Sequence, residues 1–184
     1  MARLPIHTAD SAPAEVRPAL QAAQQAAGYL SNLLGLLANA PAALEAYQTL
    51  SQINAKSGLT LAEREVVQLA AATRHGCTFC VAGHTALARN KARMASENIE
   101  ALRAQAELPE PRLAALAAFT RAVIASRGRV SDDELAAFLA AGYTQANALE
   151  VVLGVGLATI CNFANNLGQT ELNPEMREYQ WEGQ

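Results

Sequence analysis

Nowhere along the chain do apolar and polar positions alternate over the length of a strand. Helix punctuation recurs instead. Pro13 is placed to open a first helix that stops near Gly28, and Ser31 to cap a short one. Pro41 stands where a helix tolerates proline, and Gly58 follows the end of that helix. Thr60-Leu-Ala-Glu63 and Ser131-Asp-Asp-Glu134 both read as capping boxes. Gly76, Gly128, Gly142 and Gly168 mark further helix ends. The expected fold class is therefore all-α. Residues 105–112, with Pro109 and Pro111, form the best internal boundary, but no linker is long enough to divide the chain, so residues 1–184 read as a single domain.

Composition supports this picture and adds to it. Hydrophobic residues make up 51% of the 184 positions and charged residues 17%. Alanine dominates, which favours helix. So little charge on so apolar a chain implies that some apolar surface is hidden in an oligomer. The net charge of −3 gives no reason to expect nucleic acid or an anionic membrane as partner. The N-terminal stretch lacks the apolar core of a signal peptide. The longest uncharged apolar run, Val151 to Cys161, is shorter than the ~20 residues a bilayer requires. A cytoplasmic location is the expectation.

A weak internal repeat is visible. Glu65-Val-Val67 precedes Cys77-Thr-Phe79, and Glu150-Val-Val152 precedes Cys161-Asn-Phe163. Two similar helical hairpins would account for it, as would chance likeness between two Ala/Val-rich helices. Only the first copy carries a paired thiol and an imidazole.

That first copy holds the candidate chemistry: Glu65-x11-Cys77-Thr-Phe-Cys80-Val-Ala-Gly-His84. If a helix starts at Cys77, just after the break at Gly76, positions 77, 80 and 84 fall within an arc of about 60°. Two sulfurs and an imidazole then share one face. Residues three apart sit ~5–6 Å apart at Cβ, close enough for small adjustments to close a disulfide, and a disulfide exposed at a helix start is open to an incoming thiolate. A free thiol, with a pKa of ~8.5, is only a few per cent ionised at neutral pH. A helix N-terminus and a nearby imidazolium both favour the thiolate. His84, one turn beyond Cys80, can take or return its proton, and Glu65 can orient the imidazole. Glu65 shares a helix face with Leu61 and Leu69, and a carboxylate in such a setting usually has a partner. In a reducing compartment a CxxC pair points to redox or metal chemistry. A zinc site built from Cys77, Cys80, His84 and Glu65 is the alternative, although structural zinc sites usually draw ligands from separated pairs. A disulfide sensor using the same Cys/His cluster is another.

The spacing E-x11-C-x2-C-x3-H resembles the alkylhydroperoxidase D-like branch of the carboxymuconolactone decarboxylase family. Asn39-Ala-Pro41, Leu59-Thr-Leu-Ala-Glu-Arg-Glu65 and the closing Asn162-Phe-Ala-Asn-Asn-Leu-Gly-Gln-Thr-Glu171 look like its peroxidase-related members. The resemblance implies an all-α fold built from a repeated helical unit, and a trimeric or hexameric homo-oligomer. It implies reduction of hydroperoxides with electrons from a dithiol or lipoyl-type reductant, with no metal and no cofactor. By motif position Cys80 attacks the peroxide, Cys77 resolves the sulfenic acid, and His84 and Glu65 relay protons. Phe79 stands where the best-known members carry a histidine, and phenylalanine relays no proton. Members that decarboxylate lactones generally lack the cysteine pair.

Other residues attract blander readings. His75, at a predicted helix end, suits the helix dipole as a cation. Cys161 is a packing thiol in an apolar helix. Glu150 is a second candidate buried carboxylate with no thiol to serve. Tyr179 and Trp181 are expected against a neighbouring subunit, Met94, Phe119 and Phe138 in core or interface, and the Arg121–Arg129 stretch at a solvated helix end. His7 receives no role.

Overall fold

The computed structural model describes residues 2–183, and the described residues contain helices but no strands. In chain order the helices are α1 Arg17–Ala27, α2 Asn32–Leu37, α3 Pro41–Asn54, α4 Leu61–Arg74, α5 Thr78–Asn90, α6 Ser96–Arg103, α7 Pro111–Ser126, α8 Asp132–Ala140 and α9 Gln145–Gly168, followed by a 3-10 turn, Pro174–Tyr179.

Local chemistry explains most of these boundaries. Proline lies in the first turn of α1, α3 and α7, where the missing N–H has no intrahelical partner to lose. Both expected capping boxes form, Thr60 with Glu63 and Ser131 with Glu134. Thr144 and Asn147 make a third, on α9. α1 starts at Arg17 and not at Pro13, because residues after Pro13 first make a turn in which the Val16 N–H bonds the Pro13 carbonyl. At the far end of α9 the left-handed residue is Gln169, at φ 49°, and Gly168 stays helical. Gly168 is small for packing instead: a Cβ there would lie 2.7 Å from Leu36 Cδ1.

α4 is the central helix. From Glu65 to Thr73 every residue is buried, so this helix is apolar nearly all round, as a core helix must be. It packs against α5, α6, α7 and α9. Gly154 of α9 lets the two backbones approach, since a Cβ there would meet Val67 Cγ1 at 2.9 Å. One cluster of buried apolar side chains extends from Ala12 to Met176. Phe119, Phe138 and Tyr143 stack within it, with ring centroids 4.2 and 4.6 Å apart.

Three expectations need correction. Tyr179 and Trp181 pack on their own chain: the Tyr179 hydroxyl accepts from Asn90, and the Trp181 indole donates to the Arg103 carbonyl. Glu65 and Cys77 lie on successive helices, whereas Glu150 and Cys161 share the uninterrupted α9, so the internal likeness is one of helical pattern and not of two hairpins. By length and composition α9 could cross a bilayer even though its uncharged run is short. Here it lies against α2, α3, α4, α5 and α7, with Val151, Leu157, Ala158 and Cys161 buried.

Candidate active site

The site grows out of the turn between α4 and α5. α4 ends at Arg74, His75 caps it, and Gly76 takes the left-handed conformation at φ 64°, which costs glycine little. This reverses the chain and delivers Cys77 as the N-cap of α5. The Cys77 sulfur accepts the Cys80 backbone N–H at 3.3 Å, as serine or threonine oxygen does at other N-caps.

Capping has a consequence that helical spacing does not convey. Cys77 has extended backbone angles, φ −88° and ψ 93°, so its side chain leaves the face that Cys80 and His84 share. Cys80, His84 and Glu65 line one cavity of about 390 Å³, together with Tyr47, Phe79 and Cys161. Cys77 borders a different cleft with Asn165, Asn166 and Thr170. Neither cysteine is exposed at the helix start: Cys77 is 0% and Cys80 4% accessible.

Glu65 finds the partner its apolar setting demands. His84 Nδ1 lies 2.7 Å from Glu65 Oε2, a bond from α5 to the buried face of α4. A carboxylate on Nδ1 fixes the tautomer and leaves Nε2 for proton exchange.

The two thiols ionise unequally. Hydrogen bonding from the Cys80 side chain draws Cys77 down; burial opposes this, and the backbone N–H groups of Cys80 and Phe79 and the Asn165 amide assist. Cys80 is pushed well up by the same hydrogen bond and by burial. Within the reduced pair the Cys80 S–H thus donates to the Cys77 sulfur. Access and ionisation favour different sulfurs: Cys77 is the easier anion, and Cys80 is the one the cavity reaches. Cys161, on the cavity wall, is pushed up to about 12 by burial and donates to the Leu157 carbonyl, so it remains a thiol. The Tyr47 phenol is also pushed up, by burial and by the facing Cys161, Cys80 and Glu65, and stays a proton donor.

Three asparagines of α9 complete the site, and no motif spacing in the sequence links them to it. Asn162 donates to His75 Nδ1 at 3.0 Å, and Asn166 to the His75 carbonyl at 2.8 Å. Burial lowers the His75 pKa, so the ring is a neutral acceptor in this clamp and not a cation on the helix dipole. Asn165 donates to the Cys80 sulfur at 3.2 Å. The one available signal was the density of asparagine in an otherwise apolar helix. Glu150 is only half-buried and accepts from the Gly58 N–H and from Asn147, away from any thiol. Arg121 donates to the Ala106 carbonyl, and Arg127 caps α7. Among the described residues no three His, Cys, Asp or Glu side chains converge as a metal ion would require, so the zinc alternative lacks its cluster.

Solved structures of other proteins share the fold. A peroxidase-related protein from Ralstonia eutropha JMP134, described as an alkylhydroperoxidase AhpD core, is 23% identical, with a TM-score of 0.84 over 95% of this chain and 94% of that one. One from Silicibacter sp. TM1040 is 18% identical, with a TM-score of 0.76 over 95% and 92%. The debrominase Bmp8, solved with 2,3,4-tribromopyrrole, is 14% identical, with a TM-score of 0.76 over 96% and 94%. No curated protein matches the chain in sequence. Residues 41–125, which hold Glu65, Cys77, Cys80 and His84, match the model of the carboxymuconolactone decarboxylase family, and the chain has the all-α fold of the alkylhydroperoxidase AhpD core.

Proposed function

We propose that this protein is a thiol-dependent peroxidase that cycles Cys77 and Cys80 between dithiol and disulfide. The observation that carries the reading is the convergence of the Glu65–His84 pair and Cys80 on one cavity, with Cys77 in hydrogen-bond contact behind. Cys80 loses its proton to His84 Nε2 and attacks a peroxide oxygen. The S–O bond forms, the O–O bond breaks, and the alcohol leaves with the proton that His84 returns. The Cys77 thiolate then attacks the Cys80 sulfenic acid, water leaves with one further proton, and the disulfide closes. A dithiol, of lipoyl type or similar, restores both thiols by exchange at Cys80. Loss of the lower-pKa Cys77 thiolate favours that exchange. Phe79 adds apolar wall to the cavity and no proton path, and with Leu33, Leu61, Leu87 and Met176 it suits an organic hydroperoxide. Such a cycle belongs in a reducing compartment such as the cytoplasm.

Assembly is part of the proposal. Leu149, Val152, Phe163 and Leu167 of α9 are 73%, 49%, 55% and 64% exposed. They form an apolar stripe suited to further copies of the chain, in a trimer or hexamer.

The test is a thiol count in denaturant before and after one equivalent of an organic hydroperoxide. Three thiols should fall to one, and dihydrolipoamide or dithiothreitol should restore all three. Survival of all three would refute the reading. Because the debrominase shares the fold, a halogenated pyrrole serves as a parallel oxidant; the same dithiol would yield the dehalogenated ring, halide and a disulfide.

A further inference from the structure

Asn165 sits in the interior of α9, 3% exposed, and local propensity does not account for it. Asparagine is a poor helix former, because its amide competes for backbone hydrogen bonds. Its carbonyl oxygen is buried with no partner among the described residues. Half-satisfied burial of an amide is unfavourable, and leucine would fill the volume at less cost. What the side chain does have is a directed bond, Nδ2 to the Cys80 sulfur at 3.2 Å. It is held in place from both sides, because Asn162 and Asn166, three residues before it and one after, fasten α9 to the turn that introduces Cys77.

We propose that Asn165 is a catalytic residue of the thiol site: its amide N–H favours the anionic form of the Cys80 sulfur and so prepares it for attack. A hydrogen bond to an ionised acceptor is worth roughly twice one to a neutral acceptor. The donor therefore contributes little to the resting thiol and more to the thiolate, the state through which the reaction passes. The same amide also favours the Cys77 thiolate, so one fixed donor serves whichever sulfur carries the charge. This rests on the redox reading of the cysteine pair, but its central measurement needs no peroxide.

The experiment uses a Cys77→Ser background and follows Cys80 ionisation by thiolate absorbance and by the rate of iodoacetamide alkylation across pH. Asn165→Leu and the near-isosteric Asn165→Asp should both raise the pH of thiolate formation. Alkylation at pH 7 should slow about tenfold for a shift of one pKa unit, and further in Asn165→Asp, whose carboxylate would repel the thiolate. Asn165→Gln, which keeps a donor, should recover part of the rate. A packing role alone would leave the ionisation of folded variants unmoved, and that result would overturn the proposal. Wild-type protein supplies a second arm that depends on no variant folding. The Asn165 side-chain amide resonance should shift with the pH midpoint of a site thiol, and an amide indifferent to thiol ionisation would equally overturn it. If alkylation responds but no peroxide is consumed, the peroxidase reading fails and this inference stands.

Discussion

His84 on α5 reaches Glu65 on α4 at 2.7 Å, so a bond between two helices sets the orientation of the imidazole on the cavity wall. Glu65 is 5% exposed and His84 is its partner, so truncating either removes orientation together with charge. Glu65→Gln and His84→Ala should each slow peroxide turnover by roughly 10²–10⁴-fold, the usual scale of acid–base assistance. Each should also raise the pH at which turnover begins, since Cys80 would then have to ionise against its burial unaided. A pH–rate profile unchanged in both variants would remove the relay from the mechanism.

The cysteines should separate by role. Cys80→Ser should abolish turnover, because no other thiol of the pair reaches the cavity. Cys77→Ser should react once and stall as a sulfenic acid, which dimedone labelling followed by mass spectrometry would show. Comparable multiple turnover by both variants would reverse or sink the assignment.

Acid should weaken one structural joint far from the chemistry. Burial works against ionised Glu63, but the backbone and hydroxyl of Thr60 and the Arg112 guanidinium, at 3.0 Å, hold its carboxyl below the usual range. A depressed carboxyl contributes stability above its unfolded value of ~4.3, and loses it as the pH falls through the lower folded value. Glu63→Gln should cost about 1–3 kcal/mol at pH 7, and the gap to wild type should close toward pH 3. Urea midpoints measured at both pH values would decide it; a gap independent of pH would show that the ion pair and cap do not act this way.

Phe138 is 1% exposed and stacked between Phe119 and Tyr143. Phe138→Ala should destabilise the chain by about 3–5 kcal/mol, from lost burial and the cavity left behind. Phe138→Leu should cost less, retaining volume but not the stack. Calorimetry on the two variants measures the difference, and equal losses would mean that ring stacking adds nothing beyond volume.

Much of this protein was decided along the chain itself. Thr60 with Glu63 and Ser131 with Glu134 announce helix starts, Gly76 announces a reversal, and their effects depend only on neighbours a few residues away. The spacing from Cys80 to His84 carried the two onto one face for the same reason, since one helix joins them. Glu65 was legible as a carboxylate in need of a partner, because its apolar neighbours are on its own helix.

What remained belonged to the packing. Cys77 left the common face because an N-cap is not yet helical, and whether a residue caps or begins a helix is a difference of one position. Both thiols are buried, since α9 and the C-terminal segment close over α5, and no local pattern states that. Tyr179 and Trp181 turned inward onto Asn90 and Arg103 for the same reason. Asn165 lies 85 residues from Cys80 in sequence, and only the crossing of α9 over the α4–α5 turn brings its amide to the sulfur. Short-range hydrogen bonding and helical periodicity act within a turn or two, so the sequence determined the helices and the motif. Contacts between distant helices depend on how every apolar face is buried at once, and only the tertiary structure decided them.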